Sequence, residues 1–395
     1  MKKRIIIIVL SIVFIKCIAI LFLENFNTFE DYVIAQNILS NGSFFIISDG
    51  AMNHSYQFPI YPILISCAFF IKNNIHSAIL INILCSAFAC LLLFRNIERL
   101  RTLGYIFFTE KWSYILSVLP LLHPAFLHYE LQCVHPFCFD FLLLNLGITM
   151  LISSLLLNNN RWFDMGIWLG IVVLGRGTFI IFPVLIISTL LLKKQFKSVT
   201  TINIGMLLIV GAWLTHNYAT DQVFGLTSTS GKLLWKGSLH NSDGGNYLLN
   251  GENYNSALSI EEQNTIGRAT VVEQNKFFMD KYLNQWKTEP NHVVKMFFIK
   301  LKNFWFISSN AGIEYSSSIK KAIPFYQIIN ALSIGLLLFL SFKTKQFYWF
   351  YLVLALSSLQ CFFYFETRHR LLFDPLLLVI CSNLWMKYRK TEKQP

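Results

Sequence analysis

Charge is scarce in this chain. Of its 395 residues only 14% are Asp, Glu, Lys or Arg, against 54% hydrophobic residues and a mean hydropathy of +0.51. A globular domain keeps roughly a quarter of its residues charged because its surface must be wetted, so an ordinary soluble enzyme is excluded. Other absences narrow the field further. There is no CxxC, no HExxH, no Gly-rich phosphate loop, no dinucleotide fingerprint and no GxSxG elbow. An ATP-driven pump and a cytosolic sugar-nucleotide enzyme are therefore disfavoured. The eight cysteines lie in or beside apolar runs and read as small core residues, with neither disulfides nor metal ligation implied. No internal repeat or low-complexity tract is found.

Long apolar runs are what the chain has instead. About 20 helical residues cross a bilayer core. Runs of roughly that length occupy 5–23, 75–94, 112–130, 136–157, 202–214, 324–342, 347–363 and 371–386. The stretch 58–71 is too short to cross, and 165–192 is too long for one straight helix and is interrupted by Gly175-Arg176-Gly177. The opening Lys2-Lys3-Arg4 has the charge order of a signal peptide, but the apolar run after it lacks a small-x-small cleavage site. An uncleaved first membrane helix is expected.

With that N-terminus in the cytoplasm, Arg95, Arg99, Arg101, Lys111, Arg161, Lys193, Lys194, Lys197, Lys343, Lys345 and the tail cations fall on the same side. The positive-inside bias predicts this arrangement. It places 24–57, the turn at 130–135, Arg176, about 215–321 and 366–370 outside. The net charge of +12 then reads as topology plus a few functional cations, with no case for nucleic acid.

The segment from about 215 to 321 alone has soluble-domain composition. It carries Gly-, Asn- and Ser-rich turns at 238–251 and predicts a helix over 261–286. Cations interleave with aromatics over 295–306, the pattern of an interfacial helix. Three regions follow: an N-terminal membrane module, 1–216, with a catalytic first outer loop at 24–57; an extracytoplasmic segment, 217–321; and C-terminal membrane helices with a cytoplasmic tail, 322–395.

Three constellations can carry chemistry. Glu30-Asp31, just beyond the first membrane helix, can accept a proton from a nucleophile or can merely offset a helix dipole. Arg176 sits at depth between two glycines, where a guanidinium is costly unless paired, so it serves either a phosphate or a buried carboxylate such as Asp140. Glu366-Thr367-Arg368-His369-Arg370, followed by Asp374-Pro375, lies on the wrong side for the positive-inside bias and favours phosphate binding over headgroup snorkelling. His123, His128 and His135 gather near Glu130, but their spacing supports no metal site.

In order along the chain, these pieces resemble the polyprenyl-phosphate-dependent membrane glycosyltransferases of the GT-C superfamily, which include the protein O-mannosyltransferases and the lipid A aminoarabinose transferase. Five stretches carry the likeness: Glu30-Asp31 with Tyr32, Ala35, Leu39 and Gly42; Pro59-Ile60-Tyr61-Pro62; Gly175-Arg176-Gly177-Thr178 with Pro183; Trp213 to Tyr218 leading to Thr227-Ser228-Thr229-Ser230-Gly231 and Leu234-Trp235-Lys236-Gly237; and Glu366 to Pro375. The resemblance implies an all-α polytopic membrane protein, a GT-C-like bundle of roughly 10 to 12 helices by span length. Juxtamembrane helices in the outer loops and one long extracytoplasmic segment complete it.

The same resemblance implies Asp31 as general base, with Glu30 the alternative because the usual Asp-Glu order is reversed. Arg176, Arg368 and Arg370 would contact the donor phosphate, Lys232 or Lys236 would assist, and Glu366, Tyr61 and His54 join the substrate-binding set. His216, His135 and His369 depart from the family pattern, standing where arginine, glutamate and tyrosine are common. The implied reaction moves a sugar from a polyprenyl-phosphate donor to a glycan, lipid or protein acceptor at the plasma (inner) membrane, with inversion. Membrane lipids are the remaining partners. No cofactor or metal ligand is assigned, and a divalent metal stays open. The alternative is a glycolipid transporter, flippase or polysaccharide polymerase, for which internal pseudo-symmetry would be expected; an inactive scaffold is the third reading.

Overall fold

A computed structural model describes residues 2–156, 161–306, 317–363 and 367–392. The described residues are mostly helical, and six helices are long and apolar enough to cross a membrane. The chain is thus a membrane-embedded, all-α protein in which two short β pairings are local details. It divides into two compact units. The first holds the described residues up to Ile46 together with His54–Thr227; the second holds Ile47–Asn53 together with the described residues from Ser228 onward.

The first unit begins with α1 (Lys2–Ala19), β1 (Asn27–Thr28), α2 (Glu30–Asn41), α3 (Ile60–Ile71) and α4 (Ile75–Thr102). The apolar run at 112–130, expected as one span, is broken into α5 (Glu110–Val118), a 3₁₀ turn (Leu119–Leu122) and α6 (Pro124–Leu131). The cause is local. Pro120 and Pro124 donate no backbone hydrogen bond, and Pro124 forces His123 out of the helical region, to φ −70° and ψ 128°. Next come β4 (Cys133–Val134), which pairs in parallel with β1, then α7 (Phe137–Leu155), α8 (Trp162–Gly175), α9 (Ile181–Leu192) and α10 (Phe196–Asp221).

Two devices hold this unit's helices together. A Cβ added to Gly166 of α8 would stand 2.2 Å from the Ile202 carbonyl oxygen of α10, and one on Gly205 would stand 2.5 Å from that of Phe163. Only glycine permits two helix backbones to approach so closely. Between α4 and α7 the contact is polar: Asn96 donates to the Asn145 carbonyl at 3.0 Å and accepts from Thr149 at 2.9 Å. The Asn96 amide and the Thr149 hydroxyl are thus hydrogen-bonded where they are buried.

The second unit starts with a strap borrowed from the first loop. β2 (Ile46–Ser48) and β3 (Ala51–Asn53) are joined at Asp49-Gly50, whose φ values of 49° and 81° give the twist a tight hairpin requires. Then follow α11 (Ser230–Lys236), α12 (Ile260–Ile266), α13 (Val271–Thr288) and α14 (Pro290–Phe306). The single helix expected over 261–286 is instead two. Ser259 and Glu262 form one capping box, and Thr270 and Glu273 form a second that starts α13 afresh. Apolar residues of these helices, among them Leu234, Trp235, Phe278, Tyr282 and Val293, make the core of this part. The chain continues through α15 (Ser317–Thr344), α16 (Phe347–Phe362), α17 (Thr367–Leu371) and α18 (Asp374–Glu392).

Candidate active site

The first unit holds several of the residues singled out in the sequence, among them Asp31, His54, Tyr61 and Arg176. Helix α2 is pinned by Ile34 and Ala35, both fully buried, and ends at Gly42 in the left-handed conformation. Positions 31, 34 and 35 share one helix face, so the packing that buries Ile34 against Phe44, Leu174 and Trp213 also turns Asp31 inward. Asp31 is 4% exposed, whereas Glu30, one position earlier, is half-buried. Asp31 also sits in the first turn of α2, where backbone N–H groups lack helical partners.

Tyr61 of α3 is buried in the same unit. Its hydroxyl donates to Asn82 Oδ1 at 2.6 Å, and Asn82 Nδ2 donates to the Cys133 carbonyl at 2.7 Å. The Tyr61 ring stacks on Phe139, with centroids 5.7 Å apart. Phe139 in turn presses on Gly175, where a Cβ would meet its ring at 2.9 Å. The next residue is Arg176, held extended between α8 and a 3₁₀ turn (Gly177–Ile180). Its guanidinium pairs through Nη1 with Asp140, the neighbour of Phe139, and its Nε donates to Thr178 Oγ1 at 3.2 Å. Tyr61, Phe139 and Gly175 thus form a run of contacts that ends beside Arg176. The Asp140 pairing that the sequence left open is present.

His135 and His54 take supporting positions. His135 packs edge-on against Phe29, the residue that caps α2, and its Nδ1 accepts from the Phe137 amide at 3.1 Å. His54 is engaged by Asp221 at the end of α10: its amide donates at 2.9 Å, and its Nδ1 lies 3.0 Å from the same carboxylate. Ser55 donates to that carboxylate as well, at 2.6 Å. His54 therefore closes the end of α10. The His216 ring stacks on Trp213 at 4.8 Å.

The second unit holds the other cations. Lys232 pairs with Asp49 of the strap at 2.7 Å and faces the rings of Tyr254 and Phe278. Burial alone would lower its pKa, but Tyr254 and Asp49 outweigh that and hold the ammonium above the usual lysine range. Lys236 faces the same Tyr254 ring at 5.4 Å and donates to Asn246 Oδ1 at 2.6 Å. Arg370 is 1% exposed, pairs with Asp374 and lies over the Trp305 ring, and its Nε is buried with no hydrogen-bond partner among the described residues. His369 Nδ1 lies 2.9 Å from Gln360 Nε2. Glu366 and the Arg368 side chain lie outside the described residues.

Two buried cations escape the motif-based reading. Lys16, in the last turn of α1, pairs with Glu130 at 2.6 Å with both side chains almost fully buried. The signal was a lone lysine inside an apolar run, which demands a partner. Lys300 of α14 donates to the carbonyls of Phe362 and Phe363 at 3.2 and 2.7 Å, and burial pushes its pKa down to about 8.

No protein-family model matches the chain, and no curated protein matches it either.

Proposed function

We propose that the protein is an integral membrane glycosyltransferase that moves a sugar from a polyprenyl-phosphate donor to a glycan, lipid or protein acceptor at the outer face of the plasma membrane. The observation that carries the reading is a carboxylate, Asp31, withdrawn from solvent in the same unit as a guanidinium, Arg176, that Asp140 holds in place. Its motif order, like that of GT-C transferases, supports the same conclusion.

The chemistry asks little more of the chain. An acceptor hydroxyl attacks the anomeric carbon, a new C–O bond forms as the bond to the lipid phosphate breaks, and the electron pair leaves on phosphate. Asp31 takes the hydroxyl proton. The lipid phosphate is already a good anionic leaving group, so no general acid is required. Arg176, fixed by Asp140 and Thr178, meets the departing charge without reorganising. Low-dielectric walls strengthen that contact relative to water.

The test is transfer in membranes carrying the full chain, supplied with polyprenyl-phosphate sugars. Asp31→Asn is expected to lower the rate by roughly 10²–10⁴-fold, the usual range for a lost general base. Asn at this site with full activity would remove Asp31 as base. Movement of the glycolipid across vesicles without a new glycosidic bond would replace transferase by transporter.

A further inference from the structure

A group of unlike donors converges within the second unit. His240, Glu289 and His292 each offer one ligand atom, and these atoms lie within 4.8 Å of one another. They come from two places in the chain: the turn after α11, and the elbow between α13 and α14.

Local sequence builds the elbow. Pro290 forces the residue before it out of the helical region, and Glu289 accordingly ends α13 at φ −138° and ψ 56°. His292, in the first turn of α14, stands on the same elbow and donates its amide to the Glu289 carbonyl at 3.0 Å. His240 is presented by a turn in which Asn241 adopts a left-handed φ of 53°. The two parts are tied through Ser238: Gln285 donates to its carbonyl at 3.0 Å, its hydroxyl donates to Gln285 Oε1 at 2.6 Å, and His292 Nε2 lies 2.9 Å from that carbonyl.

The last contact sets a tautomer. A carbonyl can only accept, so the proton of neutral His292 sits on Nε2 and the lone pair on Nδ1. A backbone carbonyl on the far nitrogen is the usual device that orients a metal-binding imidazole. The rings of His240 and His292 stack at 3.8 Å and 22°, an arrangement that two cationic imidazoles would oppose by charge repulsion. His240 Nε2 is 2.9 Å from Glu289 Oε2.

We infer that His240, Glu289 and His292 form a binding site for a first-row divalent cation, zinc foremost, which cross-links the turn after α11 to the α13–α14 elbow. Ligand bonds of about 2.0–2.2 Å around a tetrahedral zinc set donors roughly 3.3 Å apart. The His240–Glu289 pair therefore opens slightly as the ion replaces the proton between them, and the wider separations contract. Both side chains are about half exposed, so they have room to move and the ion has a way in. Two imidazoles and one carboxylate leave a fourth position for water. The nitrogen donors select against Mg²⁺ and Ca²⁺, which prefer all-oxygen shells.

The full chain in detergent, stripped with a chelator and dialysed, is titrated with Zn²⁺ by calorimetry and with Co²⁺ by absorption spectroscopy. The expected result is one zinc equivalent, a cobalt d–d spectrum without a thiolate charge-transfer band, and no competition from Mg²⁺. Glu289→Gln and His292→Ala should each weaken zinc binding by at least about tenfold, the scale of a lost ligand or orienting partner. Zinc should raise the melting temperature of the wild type and leave that of both variants unmoved. Glu289→Gln is isosteric at an exposed position, so its metal-free melting temperature should match the wild type. A thiolate band, or zinc affinity unchanged in both variants, overturns the site.

Discussion

Ion pairs in the two units show what burial does to charge. In the first unit, two pairs are withdrawn from solvent: Lys16 and Glu130 have side-chain exposures of 6% and 0%, and Arg176 and Asp140 of 15% and 3%. In the α12–α13 region of the second, Lys281 and Glu262 meet at 2.6 Å with about a third of each side chain in contact with solvent. The same bond length carries different energies. A buried charge that loses its partner keeps its full desolvation penalty, whereas an exposed one is rescued by water.

The largest effect expected from this contrast is at Lys16. Glu130→Gln leaves a buried ammonium without a counter-charge and should destabilise the first unit by about 3–5 kcal/mol. Combining it with Lys16→Met should recover most of the loss. Fluorescence-monitored unfolding in detergent measures both, and a single variant as stable as the wild type would end the distinction between the units.

Lys300 sharpens the comparison because it is a buried cation in the second unit without an acidic partner in hydrogen-bond reach among the described residues. Its pKa falls from 10.5 to about 8 on folding, so the folded state holds fewer protons than the unfolded state between those values. Stability therefore rises with pH across that window. Below about pH 8 the penalty is present in full, about 3 kcal/mol for a shift of this size, and by about pH 10.5 it is gone. Relative to Lys300→Met, the wild type should gain stability as the pH rises through this window. A flat difference would show that the amine is not desolvated.

The smallest effects belong to exposed caps. Ser259→Ala removes one half of a capping box and should cost about 1 kcal/mol. Lys281→Ala should change unfolding by no more than about 1 kcal/mol, the scale of exposed pairs. Losses several times larger at either position would mean that solvent does not rescue these groups.

How far the sequence could be read follows from the range of the forces. Apolar run length located most of the membrane helices because it depends only on neighbouring residues and bilayer thickness. The inward turn of Asp31 had a local signal in the helical spacing of residues 31, 34 and 35, but position alone left a solvated dipole partner open until Ile34 and Ala35 proved buried. The break at Pro120 and Pro124 had a local signal that the count of apolar residues concealed. So did the restart of α13 at Thr270, where Thr-x-x-Glu spells a capping box. Lys16 with Glu130 was beyond reach, because 114 positions separate the partners and nothing in either neighbourhood names the other. His240 was hidden for the same reason, although Glu289-Pro-Asn-His292 carries a compact signal of its own.

The strap at Ile47–Asn53 has a consequence in time. Gln274 Nε2 donates to the Asp49 carbonyl at 3.1 Å across 225 positions of sequence. At a synthesis rate of about 5–20 residues per second, the hairpin leaves the ribosome roughly 11–45 s before the helix that receives it. Throughout that interval the hairpin exists while the helix that receives its tip is still untranslated. Closure of this contact in the second unit is thus a late capture of an early segment.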